Sequence, residues 1–448
     1  MNIQGRFFIL AAFCCLMLTA CESDQSNPGA DDFHFTIAVI PDTQNMVNFT
    51  HQKDEGFALN GGDMFLEQMQ YLADNGLMNG GEIVFVTSVG DVKQNTDNKV
   101  DPAHYSRGLR ALKSKMPFMA TDRMIERIKG FELPLVRRGY DILADRGMVF
   151  SVVPGNQDYD NVWMDSQYIP DFSRIDELKD SSGKIIRYDP EILGMYHLGG
   201  LEDFNSVFSS QGKYFKDKEW YISSFSDGAN SAQVFTAGGY KFLHIGLEMH
   251  PGDKILAWAQ SVISQNPGLP TIISTHDFLN SKNERLQLPV LDLAGIDPTV
   301  HNNAEDIWKE FISINDQIFL VLSGHYYGQG YLKSHNQSGH EVYQILSNYQ
   351  GRGQAASPLE GQPVAGIGDG WLRLMKFNTG SDVPSVQIRT YSTYFKIFSI
   401  DMPSYAVWYK SVEQPNMSDE EFIQADHFTI TLSDFQKRFG VPQEGLRN

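Results

Sequence analysis

From Phe33 onward the chain is built of short apolar runs that each stop in a polar, glycine-bearing turn: FTIAVIPDTQ, EIVFVTSVGDVKQN, MVFSVVPGNQD, KFLHIGLEMH, PTIISTHD and IFLVLSGHYYG. Their length and β-branched content predict buried strands. Between them the apolar spacing changes to three and four. Phe65, Met69 and Leu72 share a face over 63–75. Ile255, Trp258, Val262 and Ile263 do so over 253–265, behind Asp253 as cap, and Ile307, Trp308, Phe311 and Ile312 over 305–315. Strands alternating with helices predict an α/β domain with a largely buried sheet. The tail differs: EVYQILSNYQ, WLRLMKFNTG, SVQIRTYSTY and HFTITLSDF follow one another with little helix between, as antiparallel strands that complete a second sheet or form a C-terminal β extension, with residues 380–448 as the β-rich extension beyond the main domain. Residues 97–143 and 163–230 read as irregular insertions over the strand ends. Their aromatics Trp163, Tyr168, Tyr196, Trp220 and Tyr221, with Asn230, either shape the mouth of a crevice or pack under the loops.

The 448 residues carry 55 Asp and Glu against 36 Lys and Arg, a formal net charge of −19. Such a surface repels phosphate backbones and argues against a nucleic-acid partner, although a bound cation can admit an anion locally. The amino terminus changes the picture of location. Arg6, the apolar run Phe7–Leu18 and then Leu18-Thr19-Ala20-Cys21 resemble a bacterial lipoprotein signal, with residues 1–20 removed and Cys21 lipidated. Residues 21–32 form a polar, turn-rich tether. Cys14, Cys15 and Cys21 are the three cysteines, so the mature chain has no disulfide framework and no thiolate site. The expected location is the cell envelope, on a lipid tether; the residue after Cys21 is Glu22, without the Asp that usually signals inner-membrane retention.

Five runs end in residues that packing does not require: Asp42-Thr43-Gln44, Gly90-Asp91, Gly155-Asn156-Gln157-Asp158, Thr275-His276-Asp277 and Gly324-His325. In open α/β sheets ligands gather beyond the carboxyl ends of strands, so these clusters should converge on one crevice. Carboxylate, amide and imidazole together are the ligands of a divalent cation with mixed oxygen and nitrogen coordination. The glycines before Asp91, Asn156 and His325 let the backbone turn sharply out of the sheet. Singly, an Asp or Asn after a strand is a turn residue and a lone His a satisfied core group; five in strand order are harder to explain so.

The ordered set Asp-x-x, Gly-Asp, Gly-Asn-x-Asp, His and Gly-His-x-x resembles the calcineurin-like metallophosphoesterase family, with Pro41-Asp42-Thr43-Gln44 as a variant opening. The resemblance covers Phe33 to about Thr379. It implies a two-sheet β-sandwich flanked by helices and one or two divalent ions (Mn, Mg, Fe or Zn) acting on a phosphate-ester small molecule. Asp91 would bridge the metals, Asn156, His276 and His325 would complete the second site, and Asp42 would hold the first. The ions would lower the pKa of a water that attacks phosphorus in line.

Three positions depart from the family pattern. Gln44 and Tyr327 stand where the first site has imidazoles, which leaves that site oxygen-rich, suited to Mg²⁺, Mn²⁺ or Ca²⁺, or empty. Gln157 stands where the family has the histidine that protonates the leaving group. An amide does no acid–base work, and loss of a positioned acid costs roughly a hundred- to ten-thousand-fold in rate. His250, at the end of KFLHIGLEMH, is either a substitute acid or an exposed loop residue; Asp158 and Asp277 either orient imidazoles or cap turns. His244, within a strand, reads as core. The expectation is a metal-dependent phosphoric-ester hydrolase. Its rival is a degenerate protein of the same fold that binds a ligand or partner without turnover. A serine hydrolase is excluded by the lack of Gly-x-Ser-x-Gly after any strand, and neither a P-loop nor His-Glu-x-x-His occurs.

Overall fold

The computed structural model describes residues 33–96, 122–286, 301–357 and 366–443, apart from 182, 184, 185 and 188. The leader, the tether and all three cysteines lie outside the described residues, as does 97–121 of the first insertion. Along β1 (His34–Ile40) alternate side chains face opposite ways. Phe35, Ile37 and Val39 enter one apolar cluster, Ala38 and Ile40 another. The strand is therefore buried on both faces, and two layers must cover it.

One of those layers is a second sheet. The first sheet has the order β15-β14-β13-β1-β2-β3, with β16 also on β14. Its members are β1, β2 (Ile83–Ser88), β3 (Phe150–Val152), β13 (Trp371–Asn378), β14 (Ser385–Ser392), β15 (Ile397–Phe398) and β16 (Phe428–Thr431). The second sheet runs β11-β12-β10-β9-β8-β7-β6. It comprises β6 (Tyr221–Phe225), β7 (Asn230–Ala237), β8 (Tyr240–Gly246), β9 (Thr271–Ser274), β10 (Ile318–Ser323), β11 (Gly328–His335) and β12 (Glu341–Asn348). Each is mixed: β1, β2 and β3 are parallel, as are β8, β9, β10 and β12, while the flanking strands are antiparallel. A separate hairpin pairs β4 (Asn161–Met164) with β5 (Tyr196–Gly199).

Between the sheets Phe35, Phe85 and Phe377 meet Phe235, Phe242 and Phe319 in one apolar cluster. Helices cover the outer faces. Helix Gly61–Asp74 lays Phe65, Met69 and Leu72 on the first sheet, and helix Asp253–Gln265 lays Ile255, Val262 and Ile263 on the second. The architecture is thus mixed α/β, two seven-stranded sheets with flanking helices. The C-terminal antiparallel extension is the edge of the first sheet, since β14 pairs directly with β13, and β13 lies beside β1.

Several local expectations need correction. Residues up to Leu143 are not all irregular: Asp122–Arg127, a π-turn Ile128–Glu132 and Leu133–Asp145 form continuous helix packed on helix Gly61–Asp74. Gly139 is what permits that contact, because a Cβ there would lie 2.3 Å from the Phe65 ring. The second insertion contributes β6 and the start of β7, strands whose serines and asparagine conceal them from an apolar-run search. Trp220 and Tyr221 pack against the helix-side core of the first sheet. Helix Asp253–Gln265 is capped by Gly252, and Asp253 instead accepts a hydrogen bond from Asn302. The tail also holds helices Tyr405–Glu413 and Asp419–Gln424. Among the described residues no helix is long and apolar enough to cross a membrane.

A polar island interrupts the apolar interface between the sheets. His244 on β8 is fully buried, its Nδ1 2.8 Å from Gln233 Oε1 and its Nε2 2.8 Å from Ser274 Oγ, while Thr87 of β2 donates to Ser274 from the opposite sheet. Burial pushes the imidazole down to about 3. The unfolded chain takes up a proton near pH 6.5 that the folded chain refuses, so the contribution of His244 to stability is intact above that pH and is lost as pH falls toward 3. Urea unfolding between pH 7 and pH 5 should show this: His244→Gln should remove a slope of about 1.4 kcal/mol per pH unit below pH 6.5, and an unchanged slope would contradict it.

Candidate metal centre

The parallel strands of both sheets end at the same rim, and their carboxyl ends deliver the polar clusters to one place. Asp42 follows β1, Asp91 follows β2, Asn156 follows β3, His276 follows β9 and His325 follows β10. Asp42, Asp91 and His276 are buried, offer ligand atoms within 4.8 Å of one another, and could hold a metal ion.

The rest of the cluster closes around them. His276 Nδ1 lies 2.8 Å from the Val89 carbonyl, which can only accept, so that nitrogen carries a hydrogen and Nε2 faces the cluster. Nε2 lies 3.4 Å from Asp91 Oδ2 and 3.1 Å from Asn156 Oδ1. His325 Nδ1 lies 3.0 Å from the same Asn156 oxygen and 3.3 Å from His276 Nε2. Gln44 donates to Asp91 Oδ2 at 2.9 Å, and the Gln157 backbone N–H donates to Asp91 Oδ1 at 2.8 Å. The Gln44 Oε1 is buried with no hydrogen-bond partner.

Backbone conformation and packing space hold this geometry. Asp91 and His325 adopt left-handed φ values of 52° and 68°, and His250 one of 50°. Such strain at non-glycine residues concentrates at functional sites. Of the three glycines expected to turn the chain, only Gly90 has positive φ. Gly155 and Gly324 are needed for space: a Cβ on Gly155 would lie 2.3 Å from Asp91 Oδ1, and one on Gly324 2.1 Å from Asp42 Oδ1.

The charges are strongly coupled. Burial lifts the Asp42 carboxyl well above the usual range, with His276 opposing and Asp91 reinforcing. Burial also works to raise Asp91, but the charge and hydrogen bond of His276 and the Gln157 N–H hold it low. Burial would lower His276, yet the two carboxylates push it up to about 10; burial takes His325 down to about 4. Two carboxylates enclosed together require positive charge beside them, from a proton or a cation.

The remaining candidates take distinct places. Asp158 caps: it accepts from the N–H groups of Val92, Lys93 and Gly155 and so ties the Asp91 loop to the Asn156 loop. Asp277 orients an imidazole, its Oδ2 lying 3.1 Å from His250 Nε2. His250 is not an exposed loop residue but is fully buried. Gln157 is half-buried, and its carbonyl accepts from Lys93 Nζ at 2.8 Å. Tyr327 is 52% exposed over Gly351, and burial with the nearby Asp42 and Asp91 charges raises its phenol, which keeps the oxygen protonated and a poor ligand.

Three residues of the site escaped sequence reasoning. Asn348, at the end of β12, and Gln350 donate to Asp42 Oδ2 at 2.7 and 3.2 Å. The same signal, an amide just after a buried run, was available for them in SNYQ. Glu132 lies in the π-turn and accepts from the Gln94 and Asn95 N–H groups of the Asp91 loop; nothing local marks it. Asn230 shapes no mouth but pairs with buried Glu248.

Gly155→Ala should destabilise the protein by roughly 1–3 kcal/mol, the usual effect of forced overpacking. Gly130→Ala, where a Cβ meets nothing within 4 Å, is the control. Equal unfolding midpoints for the two variants would contradict this account of Gly155.

No protein-family model matches the chain. Over 206 residues, 44% of this chain, it is 24% identical to the uncharacterized protein YvnB of Bacillus subtilis (strain 168), and the match spans 13% of that protein's length.

Proposed function

We propose that this protein is a metal-dependent hydrolase of phosphoric esters, monoester or diester, with a cation held by Asp91, Asn156, His276 and His325 and with Asp42 and Gln44 at its edge. The supporting observation is a chain of close contacts through His276 and Asn156: His276 Nε2 lies 3.4 Å from Asp91 Oδ2 and 3.1 Å from Asn156 Oδ1, and His325 Nδ1 lies 3.0 Å from that amide oxygen and 3.3 Å from His276 Nε2. Ligands held about 2.1 Å from a common ion stand about 3.0–3.4 Å apart, the spacing of each of these adjacent pairs, which supports a divalent cation among them. In its neutral form His276 directs a lone pair at two oxygens that are also acceptors, a repulsion that a cation relieves.

When bound, such an ion supplies Lewis acidity, charge neutralisation for the phosphate oxygens and a lowered pKa for water. The protein's own part is to fix the ligands, through the Val89 carbonyl on His276 and the amides on Asp42, and to offer Gln157 N–H and Gln44 donors to Asp91. The most exposed of the candidate ligands is Tyr327, whose ring lies over Gly351. We further propose that the lipoprotein-like leader carries the protein to the cell envelope on a lipid at Cys21. Gln157, at the position of a leaving-group acid, favours a second reading, ligand binding without turnover.

Hydrolysis of p-nitrophenyl phosphate and bis(p-nitrophenyl) phosphate separates the two readings. Asp91→Asn and His325→Ala should each abolish activity while leaving the protein folded, and full activity in both would refute the metal mechanism. Gln157→His should raise turnover of alkyl esters more than of aryl esters, because alkoxide leaving groups need the proton most. An equal gain, or a loss, would remove Gln157 from the acid position. Metal binding with no ester turned over by the parent protein would favour the binding reading.

A further inference from the structure

We propose that Asn348 is a positioning residue for the metal centre, an inference that rests on the metal reading above. Its side chain is fully buried at the carboxyl end of β12. One amide nitrogen serves two functional residues: Nδ2 donates to Asp42 Oδ2 at 2.7 Å and to the His325 carbonyl at 2.9 Å. Both its hydrogens are therefore spent, one on a candidate ligand's carboxylate and one on the backbone of the left-handed residue that carries another. The Asn348 Oδ1 in turn accepts from the Gln350 N–H at 3.0 Å, which folds the chain so that Gln350 Nε2 also reaches Asp42 Oδ2.

The turn that presents these amides is anchored from outside the site. Two residues beyond Gln350, the fully buried Arg352 pairs with both oxygens of Glu413 at 2.7 and 2.8 Å and with Asp426 at 3.3 Å. Its guanidinium lies 4.3 Å from the Tyr349 ring and 4.6 Å from the Tyr409 ring. Glu413 and Asp426 belong to the C-terminal extension, so residues 405–426 brace the turn that fixes Asp42 and His325. Arg352 itself is a poor probe, because its removal leaves the Glu413 carboxylate buried without its partner, while Asp426 keeps Arg373. Asn348 can be changed without stranding a charge.

The test uses the full-length protein and Mn²⁺ alone. Asn348→Ala should bind Mn²⁺ about 10–100-fold more weakly than the parent, the usual effect of losing a group that orients a ligand. The control is Asn315→Ala, another buried asparagine, bonded to Gln260 and Phe311 beside the amino end of β10, the end opposite His325. It should lower the melting temperature of the metal-free protein and leave Mn²⁺ affinity unchanged. If Asn348→Ala fails to fold, Gln350→Ala decides, since it removes one of the two amides and should weaken Mn²⁺ binding in the same sense. Unchanged Mn²⁺ affinity in the folded Asn348 or Gln350 variant, or an equal loss in Asn315→Ala, would overturn the inference and leave the metal reading standing. A parent protein that binds no Mn²⁺ would overturn both.

Discussion

His276 donates from Nδ1 to the carbonyl of Val89, the residue that ends the apolar run of β2. This bond between the two sheets fixes which face of the imidazole looks inward, and so directs Nε2 at Asp91 and Asn156. The other site contacts follow from the same constraint. With His276 held, Asn156 Oδ1 lies between two imidazoles, and Asp91 is enclosed by Gln44, Gln157 and His276. Polar groups that face one another in a buried place are costly unless something satisfies them. The cluster therefore specifies its own complement, a positive charge among the donors.

That charge is prepared for by steric means as much as by electrostatics. The two sheets approach closely enough at their shared rim that Gly155 and Gly324 have no room for a side chain, and Asp91 and His325 are held in a conformation their residue types seldom adopt. The surrounding loops supply the restraint: Asp158 and Glu132 accept backbone hydrogens of the Asp91 loop from two directions, and Asn348 holds Asp42 together with His325. The C-terminal segment joins the same device, since Arg352 fixes the turn after β12 through Glu413 and Asp426. The extension is thus continuous with the first sheet and also with the support of the site.

What the sequence made legible was whatever is written locally. The strands of the buried parallel core are unbroken apolar runs, and the residues after them stand out because packing gives no reason for them. Among the strands that went unnoticed are β6, β7 and β11, whose faces hold serine, asparagine and glycine; β7 is nonetheless buried, because Ser231 and Gln233 satisfy one another and His244. Helix Leu133–Asp145 was obscured by Gly130, Pro134 and Gly139, although Leu135, Val136, Tyr140 and Leu143 carry its periodicity. Contacts such as Asn348 to Asp42, 306 residues apart, leave no trace in spacing. The burial of His250 had the same origin: its environment comes from Asp277, on another strand's end.

The account stands on one cation at the rim where the two sheets meet. Crystals of the full-length protein grown with Mn²⁺ and measured at an energy where manganese scatters anomalously would locate it directly. The account predicts an anomalous peak within bonding distance of Asp91, Asn156, His276 and His325. A map from Mn²⁺-saturated crystals with no peak among those four residues, or with manganese bound only elsewhere, would contradict it.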